Sequence, residues 1–188
     1  KSNIISFVDA MKLKRANMVK LPVIVYNHRS TSDVITSAIN LQRSLERKAI
    51  ELEADGGRYI RPIVLFQAQP KTADDNITFD KIKKQLTDSG IPEEQIKIKT
   101  ASKDEIKNTD LLSCDCPVRY IITVNALKEG WDCPFAYILA SLANKSSRMD
   151  IEQILGRVLR LPYTTKHRDD LLNLSYVFTS SADFRATI

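Results

Sequence analysis

Residues 120–140, YIITVNALKEGWDCPFAYILA, contain the two apolar runs that decide the fold. Each run, 120–124 and 137–140, consists almost entirely of aliphatic and aromatic residues, which is typical of strands that are buried on both faces. Strands of this kind lie inside a parallel sheet that helices cover on both sides. We therefore predict an α/β domain in which these two strands are central.

Four further runs predict the rest of the sheet. They are short and rich in Val, Ile, Leu, Tyr and Phe, and helical or turn-forming segments separate them. The alternation of strands with helices indicates a mostly parallel central sheet with helices on both faces. The four runs are 23–26, 63–66, 96–98 and 174–178.

Two helical patterns lie between these runs. Apolar residues recur at steps of three and four from Val34 to Leu52, after the polar cluster 30–33 and before the stop at 55–57. A second periodic pattern covers 77–86. We expect a long helix and a shorter helix at these positions.

The length and charge of the chain limit the number of domains and the kinds of partner to be expected. With 188 residues, 43% of them hydrophobic, the chain can bury one substantial core, and we predict one globular domain over 21–188. Residues 1–20 are interpreted as an N-terminal connecting segment with a solvated basic surface, in preference to a phosphate contact. The net charge of +5 is weak support for a nucleic-acid partner.

The three cysteines, Cys114, Cys116 and Cys133, lack the spacing of a disulfide scaffold. This usage suits a reducing cytosol, so we predict a cytoplasmic protein. Packed thiols and no metal are expected, because His28 and His167 lie too far away in sequence to favour a zinc site. No stretch approaches the roughly 20 apolar residues of a membrane span, so no membrane association is expected.

The segment 150–162, DIEQILGRVLRLP, has the pattern of an amphipathic helix. Asp150 is placed to cap it, Gln153 completes a capping box, and Pro162 prevents continuation past residue 161. One face is predicted to pack on the sheet, and it consists of Ile151, Ile154, Leu155, Val158 and Leu159.

The opposite face of this predicted helix carries Gln153, Gly156, Arg157 and Arg160. Spacings of three, four and seven bring these side chains to one side of a helix. A mid-helix Gly costs about 1 kcal/mol against Ala, and here it removes a side chain that would block close approach. The paired guanidinium groups suit a polyphosphate because they offer forked donors and stay charged. A plain solvated face is the alternative.

The segment 123–134, TVNALKEGWDCP, leaves the end of a central strand. In doubly wound sheets, ligands bind at the carboxyl ends of the strands. Gly130 predicts a loop, which could offer backbone amides, the carboxylate of Asp132 and the amine of Lys128 to a ligand. A surface turn with Trp131 packed in the core explains the same residues equally well.

Together these segments resemble a known family. Residues 126–134 are similar to motif V of the superfamily 2 helicases related to the Res (restriction) subunits of type III restriction enzymes. Residues 153–160 fit Q-x-x-G-R-x-x-R and resemble motif VI, and 61–70 resemble the motif IV region. The resemblance covers about 21–184. It implies a helicase C-terminal domain, the second RecA-like domain, with the three-layer sandwich of P-loop NTPase-like folds.

The resemblance implies roles in ATP hydrolysis. Arg157 and Arg160 would be arginine fingers that reach the γ-phosphate of ATP bound on the first RecA-like domain of the same chain. Fingers of this kind typically contribute ~10³ to 10⁵ in rate. The nucleotide and the interdomain cleft would be contacted by Gln153, Gly156, Gly130 and Asp132.

The resemblance also implies contacts with the backbone of double-stranded DNA, which would be salt-dependent and largely independent of sequence. A methyltransferase subunit is the further partner that it implies. The residues assigned to the DNA are Thr123, Lys128, Gln67 and Lys71.

The ATP site is incomplete in this sequence. There is no G-x-x-x-x-G-K-[ST] loop, and no Asp-Glu pair stands directly at the end of a buried strand as a Walker B acid would. ATP and Mg²⁺ would therefore be bound in the full-length protein, and neither would be held by this domain alone. We expect the chain by itself to be inactive as an ATP hydrolase and as a nuclease.

Two other interpretations stay open from the residues alone. The domain could belong to another superfamily 2 DNA or RNA helicase, since motif VI is shared more widely. It could also be a non-catalytic module that binds nucleic acid or protein. A small-molecule Rossmann enzyme is disfavoured because no Gly-rich turn follows the first strand.

Overall fold

The computed structural model describes residues 10–69, 78–124, 133–142 and 159–180. Within these ranges the chain forms a six-stranded sheet in the order β1-β6-β5-β2-β4-β3, and every neighbouring pair is parallel. The α/β prediction and all six predicted strands are confirmed. The strands are β1 (Val23–Asn27), β2 (Ile63–Gln67), β3 (Ile96–Lys99), β4 (Tyr120–Thr123), β5 (Ala136–Ser141) and β6 (Ser175–Thr179).

The two apolar runs that decided the fold lie inside the sheet. Strand β5 lies between β6 and β2, and β4 lies between β2 and β3. Every residue of β4 and β5 is buried, as are those of β2 and β6. The edge strand β1 is instead partly exposed along its whole length, because it has a neighbour on one side only.

The helices begin and end where local chemistry requires it. They are α1 (Ala10–Arg15), α2 (Thr31–Ala54) and α3 (Phe79–Asp88). Ser30 caps α2 by accepting a hydrogen bond from the amide of Asp33, and Thr78 caps α3 in the same way. Gly56 and Gly90, just after α2 and α3, have φ of 83° and 79°, a left-handed conformation that glycine adopts without strain. Both predicted helices are confirmed over the described residues.

The order of the strands indicates how the layers are arranged. Helix α2 packs on β2, β5 and β6, and α3 packs on β4. The amide of Gln85 in α3 donates to the hydroxyl of Ser32 in α2 over 3.1 Å, so the two helices are neighbours. The chain crosses the sheet in one direction from β1 through β2 to β3 and then returns through β4, β5 and β6. Much of the return path, 125–132 and 143–158, lies outside the described residues.

The amino edge of the sheet contains two buried cations. The guanidinium of Arg61, 1% exposed, donates to the main-chain oxygens of Leu111, Ser113 and Val118 at 2.6, 2.8 and 2.7 Å. Lys20 is 0% exposed, so the interpretation of a solvated segment is wrong for this residue. Its ammonium is held by main-chain oxygens because a buried charge requires such partners.

The end of the predicted connecting segment packs into the domain. Val19 forms an isolated antiparallel bridge with Arg160, and the amide of Leu161 donates to the oxygen of Met18 over 3.1 Å. The division between 1–20 and 21–188 itself stays a prediction. Within the described ranges, no helix has the length and apolar character that crossing a bilayer requires.

Candidate functional site

The last residues of the six strands form a polar row along the carboxyl edge of the sheet. The row one position earlier, from Tyr26 to Ile98, is aliphatic or aromatic throughout. Polarity therefore changes within one residue, at the edge where doubly wound sheets bind ligands. In sheet order, this carboxyl-edge row consists of Asn27, Thr179, Ser141, Gln67, Thr123 and Lys99.

The four inner members of the carboxyl-edge row are buried although they are polar. Thr179, Ser141, Gln67 and Thr123 are 0, 1, 6 and 1% exposed. The hydroxyl of Ser141 donates to Oε1 of Gln67 over 2.8 Å. Thr123 Oγ1 has no hydrogen-bond partner among the described residues. Because a buried polar atom without a partner costs roughly 1–3 kcal/mol, this hydroxyl marks a place where a ligand oxygen or nitrogen would be stabilised.

Main-chain bonds past the strand ends hold the row in place. The amide of Ala68 donates to the oxygen of Thr123 over 2.7 Å, and the amide of Leu142 donates to the oxygen of Gln67 over 3.0 Å. The side chain of Gln69 adds a bond of 2.6 Å to the oxygen of Leu142. The segments that follow β2 and β5 thus stay in register, which fixes the backbone of Gln67 and Thr123.

An aromatic stack adjoins the row at β1. The rings of Tyr26 and His28 both stack against the ring of Phe178, with centroid distances of 5.0 and 5.6 Å. The amide of His28 donates to the oxygen of Thr179 over 2.8 Å. His28 Nε2 is buried and has no hydrogen-bond partner within the described ranges. Sequence reasoning did not assign His28 to this site.

The charged member of the row is paired. Lys99 forms an ion pair with Asp104, and the hydrogen bond from Lys99 lowers the pKa of the Asp104 carboxyl below its ordinary value. The remaining members offer hydroxyl and amide groups. Such groups can bind phosphate or carbonyl oxygens, but they supply neither a general base nor a strong nucleophile. The row therefore offers groups that suit binding and none that suit catalysis.

The structure brings two predicted site residues together. Gln67 and Thr123 are direct register partners on neighbouring strands. The row also contains polar strand ends that the sequence reasoning missed, and the signal for them was the polar residue that closes each apolar run. The predicted residues Lys71, Lys128, Gly130, Asp132, Gln153, Gly156 and Arg157 lie outside the described residues.

Arg160 lies elsewhere and in a different conformation from the one predicted. It is exposed and pairs with Val19 in an extended bridge, so the prediction that it lies on the polar face of a helix is wrong. Its neighbours, Lys20 and Pro134, precede β1 and β5, which places Arg160 at the amino edge. Strands of four to six residues span roughly 13–20 Å, and this length separates it from Gln67 and Thr123. Tertiary pairing overrides the helical spacing here.

The cysteines and acidic groups of the described ranges form no metal site. Those ranges contain no cluster of three His, Cys, Asp or Glu side chains that could hold a metal ion. Cys116 and Cys133 are buried, whereas Cys114 is exposed, so the expectation of packed thiols is wrong for Cys114. Burial raises the pKa of the Cys133 thiol to about 11, which keeps it protonated.

Two curated proteins match part of the chain. The type III restriction-modification enzyme EcoPI Res subunit of Escherichia phage P1 is 38% identical over 69 residues, which are 35% of this chain and 7% of that protein. The EcoP15I Res subunit of Escherichia coli matches with the same identity and coverage. The resemblance to type III Res subunits is confirmed. The chain spans 7% of the length of each of these relatives, and no family model matches it.

Solved structures show the fold of the chain. A fragment of an HsdR subunit of a type I restriction enzyme from Vibrio vulnificus YJ016 is 16% identical, with a TM-score of 0.51 over 93% of this chain and 35% of that one. The ATP-dependent type ISP restriction-modification enzyme LlaBIII bound to DNA is 14% identical, with a TM-score of 0.50 over 90% of this chain and 12% of that one. The fold is RecA-like, as predicted.

Proposed function

We propose that this chain is the second RecA-like motor domain of an ATP-dependent DNA helicase or translocase, as part of a type III Res subunit. In this role it supplies arginine fingers to ATP bound on the first RecA-like domain and contacts the backbone of double-stranded DNA. A methyltransferase subunit is the proposed partner of the whole enzyme. The local similarity to Res subunits and the RecA-like fold support the assignment.

The observation that carries the proposal is the carboxyl-edge row. Its buried hydroxyl and amide groups lie where β2 and β4 end, and the segments that resemble motifs V and VI come later in the chain, after β4 and after β5. Neutral donors of this kind bind phosphate oxygens without reading the bases. A motor that steps along DNA of any sequence needs contacts with this property.

ATP and Mg²⁺ are assigned to the first domain. The carboxyl-edge row contains no carboxylate, and Mg²⁺ in nucleotide sites is bound through carboxylates and substrate phosphates. This domain contributes guanidinium groups instead. Arg157 is the first candidate for the finger. Arg160 remains a candidate, although its own backbone is extended and lies at the amino edge of the sheet.

The test is Arg157→Ala in the parent protein. We expect ATP turnover to fall by about 10³-fold or more, because charge that grows in the transition state is no longer neutralised, while duplex DNA binding is retained. Arg43→Ala, which removes an exposed arginine of α2, is the matched control and should leave turnover unchanged. Wild-type turnover in Arg157→Ala would overturn the assignment.

A further inference from the structure

A basic cleft lies at the amino edge of the sheet, away from the carboxyl-edge row. It has a volume of about 220 Å³ and is lined by the turn after α2 and by the loop that precedes β6. Both walls meet near the start of β5, since the rings of Tyr59 and Tyr163 each lie 6.1 Å from that of Phe135. We call this the amino-edge cleft. The proposed motor function does not use it.

The lining of the amino-edge cleft is positively charged. Arg58, Lys166 and Arg168 face one carboxylate, that of Asp55, which leaves a surplus of two positive charges. Within the described ranges neither arginine forms an ion pair. Lys166 lies 4.0 Å from Asp170, whose side chain is 88% exposed, and such a surface pair binds weakly. The cations are therefore available to an anionic ligand.

The loop that forms one wall is held in an unfavourable backbone conformation. Tyr163 and Thr164 have φ of 58° and 51°, in the left-handed region that non-glycine residues adopt only with backbone strain. The hydroxyl of Tyr163 donates to the oxygen of Tyr59 over 2.6 Å, and the guanidinium of Arg58 lies 5.0 Å from the Tyr163 ring. These contacts fix the wall and orient one of the cations before any ligand binds.

A buried imidazole completes the lining. His167 is 8% exposed, and Asn173 clamps it, accepting from its amide over 2.8 Å and donating to its oxygen over 2.9 Å. Its Nε2 is buried without a hydrogen-bond partner among the described residues. Burial, with a smaller effect of Lys20, lowers the pKa of His167 below its ordinary value. The ring is therefore neutral near pH 7, and Nε2 can donate in one of its two neutral tautomers.

We infer that the amino-edge cleft binds a phosphate group. The surplus of two positive charges matches a phosphate dianion, and forked guanidinium donors suit its oxygens. The partial negative charge at the C-terminal end of α2 and the carboxylate of Asp55 both repel an anion. The attraction for phosphate therefore comes from the three cations. The cleft is smaller than the roughly 300–1,000 Å³ of sites for drug-sized molecules. It fits a single phosphate with little attached, either a nucleic-acid backbone phosphate or free phosphate.

The test is a titration of the chain with inorganic phosphate, followed by NMR of the His167 imidazole, one of two histidines in the sequence. We expect a saturable shift of these signals. The double variant Arg58→Ala/Arg168→Ala should weaken binding by about tenfold or more, since each lost charge-assisted hydrogen bond is worth about that factor. The control Arg43→Ala/Arg47→Ala removes the same charge from exposed positions of α2 and should change the affinity less than about twofold.

A short DNA duplex distinguishes the two sources of the phosphate. If the cleft binds the nucleic-acid backbone, the duplex shifts the same His167 signals. The Arg58/Arg168 double variant then lowers the slope of log affinity against log salt concentration by about two, one for each lost phosphate contact. If it takes free phosphate, only the inorganic ion produces the shift. A response to neither probe, or equal weakening by the control pair, overturns the inference.

Discussion

The ammonium of Lys20 donates a hydrogen bond to the main-chain oxygen of Arg160, 2.5 Å away. It also donates to the oxygens of Pro134 and Ala136, each over 3.0 Å, and it lies 4.3 Å from the centroid of the Tyr137 ring. One buried cation thus joins the segments that precede β1, β5 and β6. This contact holds together the amino edge of the sheet.

Replacing Lys20 with Met should therefore destabilise the domain. The apolar stem would still fill the space, but three main-chain oxygens would lose a charged donor, and we expect a loss of about 3 kcal/mol or more in the free energy of unfolding. Urea denaturation of both proteins at pH 7 measures this. Lys14→Met, which removes an exposed lysine of α1, should change stability by less than about 0.5 kcal/mol. Equal effects of the two substitutions would contradict the role assigned to Lys20.

The sequence predicted those parts of the fold that local patterns determine. The runs of β4 and β5 are buried on both faces, so their composition alone marks them as interior strands. Lys20 could not be predicted, because its acceptors are main-chain oxygens 114, 116 and 140 positions away. No side-chain pattern encodes a contact of this kind.

Part of the candidate site was also predictable from local sequence patterns. Gln67 and Thr123 each close an apolar run, and that signal is local. Their adjacency depends on the order of the strands, which places β2 beside β4, and single-sequence periodicity does not determine that order. At Arg160 the helical spacing was misleading, because the bridge to Val19 forms between segments that are far apart in the sequence.

Arg61 provides a second test of buried charge. Its guanidinium forms hydrogen bonds with the oxygens of Leu111, Ser113 and Val118, so it closes the loop that leads into β4. Lysine keeps the charge but cannot reach three divergent acceptors with one ammonium. We expect Arg61→Lys to lower the free energy of unfolding by about 2–4 kcal/mol. Arg58→Lys, at an exposed position, is the control, and denaturation curves that coincide for the two variants would refute the prediction.

Tyr120 predicts a loss of stability at alkaline pH. Its hydroxyl donates to Oε1 of Gln42 over 3.0 Å, and burial raises its pKa from 10.0 to about 12. The unfolded chain loses this proton near pH 10 and the folded chain only near pH 12, so rising pH favours unfolding within that window. This group accounts for up to about 2–3 kcal/mol. Urea denaturation at pH 8 and pH 11 should show a smaller drop for Tyr120→Phe than for wild type, and identical drops would rule the explanation out.

Substitutions of Thr123 can show whether its hydroxyl binds a ligand or stabilises the fold. Its Oγ1 is buried without a described partner, so Thr123→Val, which has nearly the same shape, should leave stability unchanged or raise it by up to about 1 kcal/mol. In the parent protein the same change should weaken duplex DNA binding by about tenfold, because one hydrogen bond to a charged phosphate is lost. The salt dependence should stay the same, since a neutral hydroxyl displaces no counterion. Thr123→Ser keeps the oxygen and should bind DNA as wild type does. Unchanged DNA binding in Thr123→Val, together with a clear loss of stability, would show instead that the hydroxyl serves the fold.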